Sequence, residues 1–423
     1  MFMSCAAGTA PSTSASGTTA ASESASTSAS TSQSASGDTI KIGLFSCLTG
    51  NNAAGGAFDL KGAKQAVKNI NEAGGLLGGR QVELVPIDST SDSNQSALIL
   101  ERELASRKLT AMVGNAASYI CLTELPVIEK YKVPAITCAV NIGITSKGYK
   151  YIFRGGPTGA MMSHDSVALL TYLVEKSGKD LKNYKVGIVY ENSAYGKDTA
   201  AGYAADCKTA GLNVVANETY PAGAFTDASP IVTKLKSLNV DLVMSVSYAQ
   251  DAKLIINTMK SMEYAPLLMG GGSGFIWPSL LEEMGEDVNG IISASCWNFD
   301  STNSSQVSEF ANIVKEFEDT NKEFMSEQSG AMYTYIRMIG DAIEHAGTDD
   351  SEKVRDAIAA LTSDNCKWFN LIQPGKGNAF DATGQMTPAS SVIIQWQDSK
   401  PRTIWPREVA SVKIIDLNGD AIE

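Results

Sequence analysis

The sequence predicts an α/β protein of two lobes, each built on a parallel sheet with helices on both faces. Three observations predict it. Short runs rich in β-formers alternate with helical stretches of about 10–15 residues, the pattern of parallel sheets covered on both sides. The alternation comes in two series, one starting at Asp38 and the other at Met161. Finally, LASRKLTAMVGNAASY (104–119) aligns without gaps on LKSLNVDLVMSVSYAQ (235–250), an offset of 235 − 104 = 131 residues.

In the first series TIKIGLFSCLT reads as a strand, 58–73 as a helix and QVELVPID as a strand. Leu60, Ala63, Val67 and Ile70 recur at spacings of three and four, the stripe of an amphipathic helix. Gly74 and Gly75 then supply the left-handed backbone that ends a helix at little cost, and Gly78 and Gly79 turn the chain into the strand. A helix over 93–106, the strand LTAMVG, a helix over 118–131 and the strands VPAITC and YIFRGG follow. The second series runs from a helix over 161–176 to the strand KVGIVYEN, then a helix over 196–210 and the strand NVVANETY. A helix over 229–237 leads to VDLVMSVS, and one over 251–262 to APLLMGGG. The strand GIISAS, helices over 304–320, 327–345 and 351–361 and the strand VIIQWQ return to complete both lobes.

The internal echo pairs Leu104 with Leu235, Ser106 with Ser237 and Leu109 with Val240. It therefore gives the loops at Ala117–Ser118 and Tyr248–Ala249 equivalent places in the two lobes. Open parallel sheets bind ligands outside the carboxyl ends of their strands. Two such rims facing each other make a ligand cleft.

Composition narrows the function. At 423 residues and 43% hydrophobic, the chain can bury two or three domains' worth of core. A net charge of −12 argues against nucleic acid or an anionic membrane surface as partner. No apolar run is long enough to span a bilayer. His164 and His345 are the only histidines, and the seven cysteines show no CxxC spacing, so neither a histidine base nor a metal site is expected. GxxxxGKS/T and GxSxG are absent, and GGGSG (270–274) lacks the GxGxxG spacing that seats a pyrophosphate. No catalytic constellation and no cofactor are expected.

The first 37 residues are a different material. After MFMSC, positions 9–37 are almost wholly Ser, Thr, Ala and Gly, too polar to order themselves. As a coil the tract would span roughly 30 Å. Cys5, ahead of it, resembles the end of a bacterial lipoprotein signal, which implies a lipid anchor and an extracytoplasmic, membrane-tethered protein.

Two rim loops carry candidate binding groups. GNAASY (114–119) leaves a strand and opens a helix, with Ser118 placed as a cap and the helix N-terminus as a seat for a carboxylate. SAYG (193–196) puts Tyr195 at another strand-to-helix rim, and Tyr248 does the same in the echo loop. Such tyrosines offer apolar area and a hydrogen-bonding hydroxyl together.

KIGLFSCLTG, DLKGAKQAVKNINEAGGLLGGRQVELVPID, VPAITC, YIFRGGPT and VYENSAYGKD resemble the type I periplasmic-binding-protein fold, over about 39–396. More narrowly, they resemble the branched-chain amino acid (Leu/Ile/Val) substrate-binding proteins of ATP-binding-cassette importers. The resemblance implies Rossmann-like (flavodoxin-like) lobes joined by several crossovers. The N-terminal lobe would take 38–157 plus about 296–375, and the C-terminal lobe 158–295 plus about 376–423. It implies that Ser118, with Ala117 beside it, binds a ligand carboxylate. It also implies that Ala139 and Asn141 line the next loop and that Tyr195 and Tyr248 clamp from the other lobe.

Two departures stand out. The acidic residue that holds a ligand ammonium in that family falls at Gly272, followed by Ser273, and the aromatic residue of its first loop falls at Gly55. Burying an ammonium without an anion costs several kcal/mol. Either another carboxylate reaches in, with Asp251 and Asp300 as candidates, or the ligand has no ammonium and packs on the tyrosines and Trp277. The two glycines are expected to leave room for a bulkier ligand.

The implied function is capture of an apolar amino acid or related carboxylate by lobe closure, without catalysis, and delivery to permease and ATPase subunits of an importer. The alternatives are a ligand sensor feeding a signalling receptor, and a binder of an amine-free ligand such as an aromatic acid or small amide. The pairing of the six cysteines beyond the tail stays open.

Overall fold

Two open sheets organise the chain, seen in a computed structural model that describes residues 38–301, 307–373, 376–416 and 419–422. Cys5 and the tail lie outside the described residues. The first series gives β1 (Ile40–Ser46), α1 (Ala53–Glu72), β2 (Val82–Asp88), α2 (Ser93–Ser106), β3 (Ala111–Gly114), α3 (Ser118–Tyr131), β4 (Ala135–Thr137) and β5 (Ile152–Arg154). The second gives α4 (Gly159–Lys176), β6 (Lys185–Glu191), α5 (Ala194–Ala210), β7 (Asn213–Tyr220), α6 (Ser229–Ser237), β8 (Leu242–Val246), α7 (Ala249–Ser261), β9 (Leu267–Gly270), α8 (Pro278–Met284) and β10 (Ile292–Ser295). Then come α9 (Phe310–Asn321), α10 (Glu327–Ala346), α11 (Ser351–Ala359), α12 (Phe369–Ile372), β11 (Val392–Gln397), β12 (Lys400–Trp405) and a small ribbon of β13 (Ile414–Ile415) and β14 (Ala421–Ile422).

The first sheet has the order β2-β1-β3-β4-β5, and all its pairings are parallel. The second contains β7-β6-β8-β9-β10, the same order again, also parallel. β3 and β8 thus hold equivalent places, as the 131-residue echo requires. The echo aligns even the helix starts, since Ala117 caps α3 and Tyr248 caps α7. The expected α/β class is what the chain forms, in two sheets whose pairings are mostly parallel.

The first lobe's core shows why the opening helix is where it is. Ala63, Ala66, Val67 and Ile70 of α1 share one buried cluster with Ile336, Ile339 and Ile343 of α10. The two helices meet at Gly62, where a Cβ would lie 2.0 Å from the Ser329 carbonyl oxygen. After α1, Gly75 takes φ +80°, and a Cβ there would lie 2.3 Å from the Arg80 carbonyl oxygen. Only glycine closes that turn into β2.

Three features depart from the sequence reading. The second sheet is not wholly parallel: β11 runs antiparallel to β10, and β12 to β11. β12 has no strand-like signal, because Pro401 interrupts it; it is an edge strand, where a missing N–H is tolerated. The hairpin turn, Asp398–Ser399, takes positive φ at both residues (51° and 59°) without a glycine to announce it. The helix expected over 304–320 begins at Phe310, and 302–306 lie outside the described residues. The six cysteines beyond the tail are free and buried thiols.

Candidate functional site

The carboxyl ends of β1 and β3 face those of β8 and β9 across a cleft that is shut in this structure. Two small cavities adjoin in it. One is lined by Asn52, Gly55, Asp59, Ala117 and Trp277, the other by Val140, Met162, Tyr195, Gly272 and Glu327; both share Ala116, Tyr248, Ser273 and Gln328. Each has a volume of only about 20 Å³, room for about one water. A ligand of amino acid size enters only when the lobes part. Wider depressions exist outside the cleft, including one of 610 Å³ beside Tyr184 and Met259, but that one is walled by the second lobe alone.

From the first lobe the wall is the start of α3. Ala117 is its N-cap, in extended conformation (ψ 106°), with no side chain capping the helix. Ser118 is therefore not the cap but the first helical residue. Its hydroxyl accepts from the Asn141 amide at 3.3 Å, and it sits one residue behind the cavity wall. An uncapped N-terminus facing a cleft suits an anionic group, since its N–H groups and dipole both favour one. Behind it, Asn115 accepts from the Ala117 amide at 3.3 Å and donates to Glu124 at 3.0 Å. Burial pushes the Glu124 carboxyl up to about 8, against the opposing hydrogen bonds from Asn115 and Ser96.

The second lobe supplies the aromatic side. Tyr195 and Tyr248 pack with ring centroids 5.2 Å apart, and Tyr119 of the first lobe meets Tyr248 edge-on at 6.2 Å. The Tyr195 hydroxyl donates to the Gly271 carbonyl at 2.7 Å, whereas the buried Tyr248 hydroxyl has no partner. Tyr119 bridges differently, accepting from Asn52 at 3.0 Å and donating to the Ser91 carbonyl at 3.1 Å.

Trp277 overturns the expectation of extra room at Gly55. Its indole lies over that glycine, so that a Cβ on Gly55 would sit 3.0 Å from the ring. It also packs on Phe58 at 5.7 Å and donates to Gln328 at 2.5 Å, joining the lobes. The aromatic group missing from the first loop is thus supplied from the other lobe. Gly272 leaves little space either: at φ +100°, its Cβ direction is met by the Met162 methyl at 3.3 Å.

Of the residues singled out in the sequence, Ala117, Tyr195, Tyr248, Ser273 and Trp277 line the cavities. Ala139 is fully buried and lines neither. The Asn141 side chain is committed to donating to the Ala194 carbonyl at 2.9 Å, another interlobe tie, and to accepting from the Gly143 amide at 2.9 Å. Asp300 is not a cleft residue; it ties Thr403 and Ser411 beside β12, at 2.6 and 2.5 Å. Asp251 likewise lines neither cavity, and burial with the nearby Glu191 charge raises it to about 6.

The cleft's acids are instead Asp59 and Glu327, which the sequence reading missed. Asp59, on α1, is 1% exposed; one carboxylate oxygen accepts from Ser46 at 2.6 Å and the other has no partner. Burial raises it to about 7, opposed by the Ser46 hydrogen bond and assisted by the Glu327 charge. Glu327, in the first turn of α10, accepts from the Ser295 hydroxyl and the Cys296 amide, both at 2.7 Å, and burial raises it too. Among the described residues, no Lys, Arg or His lines either cavity. A signal for Asp59 does exist: it stands four residues before Ala63, on the buried stripe, where a charge is out of place.

The sequence profile of the periplasmic binding protein family matches residues 39–401. "Leu/Ile/Val-binding protein homolog 8" of Brucella abortus is 28% identical over 380 residues, covering 89% of this chain and 92% of that protein. The branched-chain amino acid transporter substrate binding protein LivJ of Streptococcus pneumoniae, solved with isoleucine, superposes with a TM-score of 0.72 at 24% identity. That likeness covers 87% of this chain and all of LivJ (100%). A solute binding protein of R. palustris solved with benzoate gives 0.73 at 17% identity, covering 86% and 95%. With two flavodoxin-ordered lobes, a cleft at their carboxyl rims and a family match across nearly all of the folded chain, this chain belongs to the periplasmic binding protein family, as an extracytoplasmic, non-enzymatic solute-binding protein.

Proposed function

We propose that the protein captures an apolar amino acid, or a closely related carboxylate, and hands it to permease and ATPase subunits while tethered through a lipid on Cys5. The observation that carries this reading is the pairing of an uncapped α3 N-terminus in one lobe with the unpartnered Tyr248 hydroxyl of the other. The first suits a carboxylate. The second, with Tyr195, Trp277 and Met162, suits an apolar body that ends near a hydrogen-bond acceptor. Ser118 would steady the carboxylate from behind, with Ala117 and Ser273 at its edge, while Ala139 and Asn141 hold the neighbouring loop in place.

The ligand works by differential contact. It touches both lobes only when they are closed, so its binding energy shifts the open–closed equilibrium toward the closed form. The isoleucine bound to LivJ and the benzoate bound to the R. palustris protein mark the two ligand classes to compare.

A thermal-shift screen tests the proposal, with amino acids, their 2-keto and 2-hydroxy acids, aromatic acids and small amides. A true ligand at 100 times its dissociation constant stabilises the native state by about 2.7 kcal/mol, roughly 3 °C for a chain of this size. We expect apolar amino acids to give the largest shifts. Stabilisation by small amides alone, with no shift from any amino acid or carboxylate, would contradict the reading, and stabilisation by amine-free acids alone would confine the ligand to the benzoate class.

A further inference from the structure

We propose that the ligand's ammonium is held by Asp59 of the first lobe, backed by Glu327, in place of the second-lobe acid missing at Gly272. The inference rests on the amino acid reading above and deepens it.

Four observations lead there. Asp59 is 1% exposed, yet one of its carboxylate oxygens has no hydrogen-bond partner, and the residue lines the cavity. A buried, half-satisfied carboxyl is costly in a folded protein and calls for an explanation. Glu327 lines the adjoining cavity, so two acids sit on one side of the cleft. Among the described residues no cation lines either cavity to balance them. Finally, the uncapped α3 N-terminus shares a cavity with Asp59, so one small molecule can present its carboxylate to the helix and its ammonium to the acid. A 2-amino acid carries both charged groups on its α-carbon.

The position also explains the departure at Gly272. With its anion on α1, the first lobe reads both charges of the ligand, and the second lobe is left to read the side chain through Tyr195, Tyr248 and Trp277. The groups facing Asp59 are Ser46 of β1, Cys47 after it, Glu327 and Tyr335 of α10 and Cys138 after β4, and none of them is cationic. With the cleft shut, as it is in this structure, burial holds Asp59 up near 7. An arriving ammonium favours the carboxylate and expels a proton held there. The sign follows: affinity for an amino acid falls as the pH drops below about 7, because the proton must first be removed, and levels off above it.

Calorimetry with L-leucine, L-isoleucine, L-valine and L-phenylalanine, each beside its 2-hydroxy acid, tests this. We expect at least one amino acid to bind the wild-type protein more than about 30-fold tighter than its hydroxy acid, a gap of about 2 kcal/mol. Asp59→Asn should cut the amino acid affinity by about that factor and leave the hydroxy acid within threefold. An Asp59→Asn protein that keeps the preference overturns the inference. Should that variant fail to fold, Asp59→Ser takes its place, read by the same two outcomes. At pH 6, amino acid binding measured in two buffers of different ionisation enthalpy should release most of one proton, and hydroxy acid binding none. If no amino acid binds the wild type at all, the amino acid reading itself fails, and this shows before any variant is made.

Discussion

Trp277→Ala is expected to destabilise the protein by about 3–5 kcal/mol, the cost of emptying a large buried aromatic site. Trp277 is 3% exposed and belongs to the second lobe's core, yet its ring reaches Phe58 and the bare face of Gly55 in the first. Its indole N–H also donates to Gln328 across the cleft. Alanine removes the packing and strands the Gln328 oxygen. Trp277→Phe separates the two effects: it keeps most of the ring volume and loses only the interlobe hydrogen bond, for about 1 kcal/mol. Urea unfolding of both variants gives the comparison. An alanine variant within 1 kcal/mol of wild type would mean that the indole does not fill the space left by Gly55.

Arg154→Met should cost about 3 kcal/mol or more and weaken ligand binding. Arg154 is 0% exposed at the end of β5, where the chain leaves the first sheet. Its guanidinium donates to the Val140 and Asn141 carbonyls, to the Thr145 hydroxyl at 2.9 Å and to the Gln385 side chain. Burial lowers it to about 10, so it remains charged at neutral pH. Methionine fills the volume but leaves several buried acceptors unpaired, at about 1–3 kcal/mol each. The loop so released is the one that carries Ala139 and Asn141 and spans the lobes through Ala194. Arg154→Lys should recover only part of the loss, because an ammonium cannot reach the same fork of acceptors. Equal unfolding midpoints for wild type and Arg154→Met would refute this role.

The fold was legible where local signals agree. α2, α3, α6 and β7 span the predicted ranges, each with clear periodicity or alternation and a polar or glycine boundary. The echo between the lobes was legible for the same reason, since a repeated β-turn-α unit repeats its apolar spacing. Features created by distant pairing were not. β12 becomes a strand only because β11 offers an edge, and the Asp398–Ser399 turn gives no warning of it. The site divides in the same way. Ala117, Tyr195 and Tyr248 stand at helix starts, which a sequence pass can locate. Asp59 meets Glu327 across 268 positions (327 − 59), and Trp277 covers Gly55 across 222 (277 − 55), so neither relation exists in any local window. What a sequence pass could catch was the anomaly itself, an acid on an apolar stripe and a tryptophan beside a glycine-rich turn.

The central claim is that one cleft, closed by both lobes, holds the ligand. Ala116→Trp tests it most directly, because Ala116 lines both cavities and is only half-buried. An indole there, at the edge of the first lobe's core, props the lobes apart. The measurement is calorimetric titration of this variant with the amino acid that most stabilises the wild type, beside its melting curve. We expect melting within a few degrees of wild type and no detectable binding. Wild-type affinity in a variant whose cleft is blocked would place the ligand elsewhere and contradict the account.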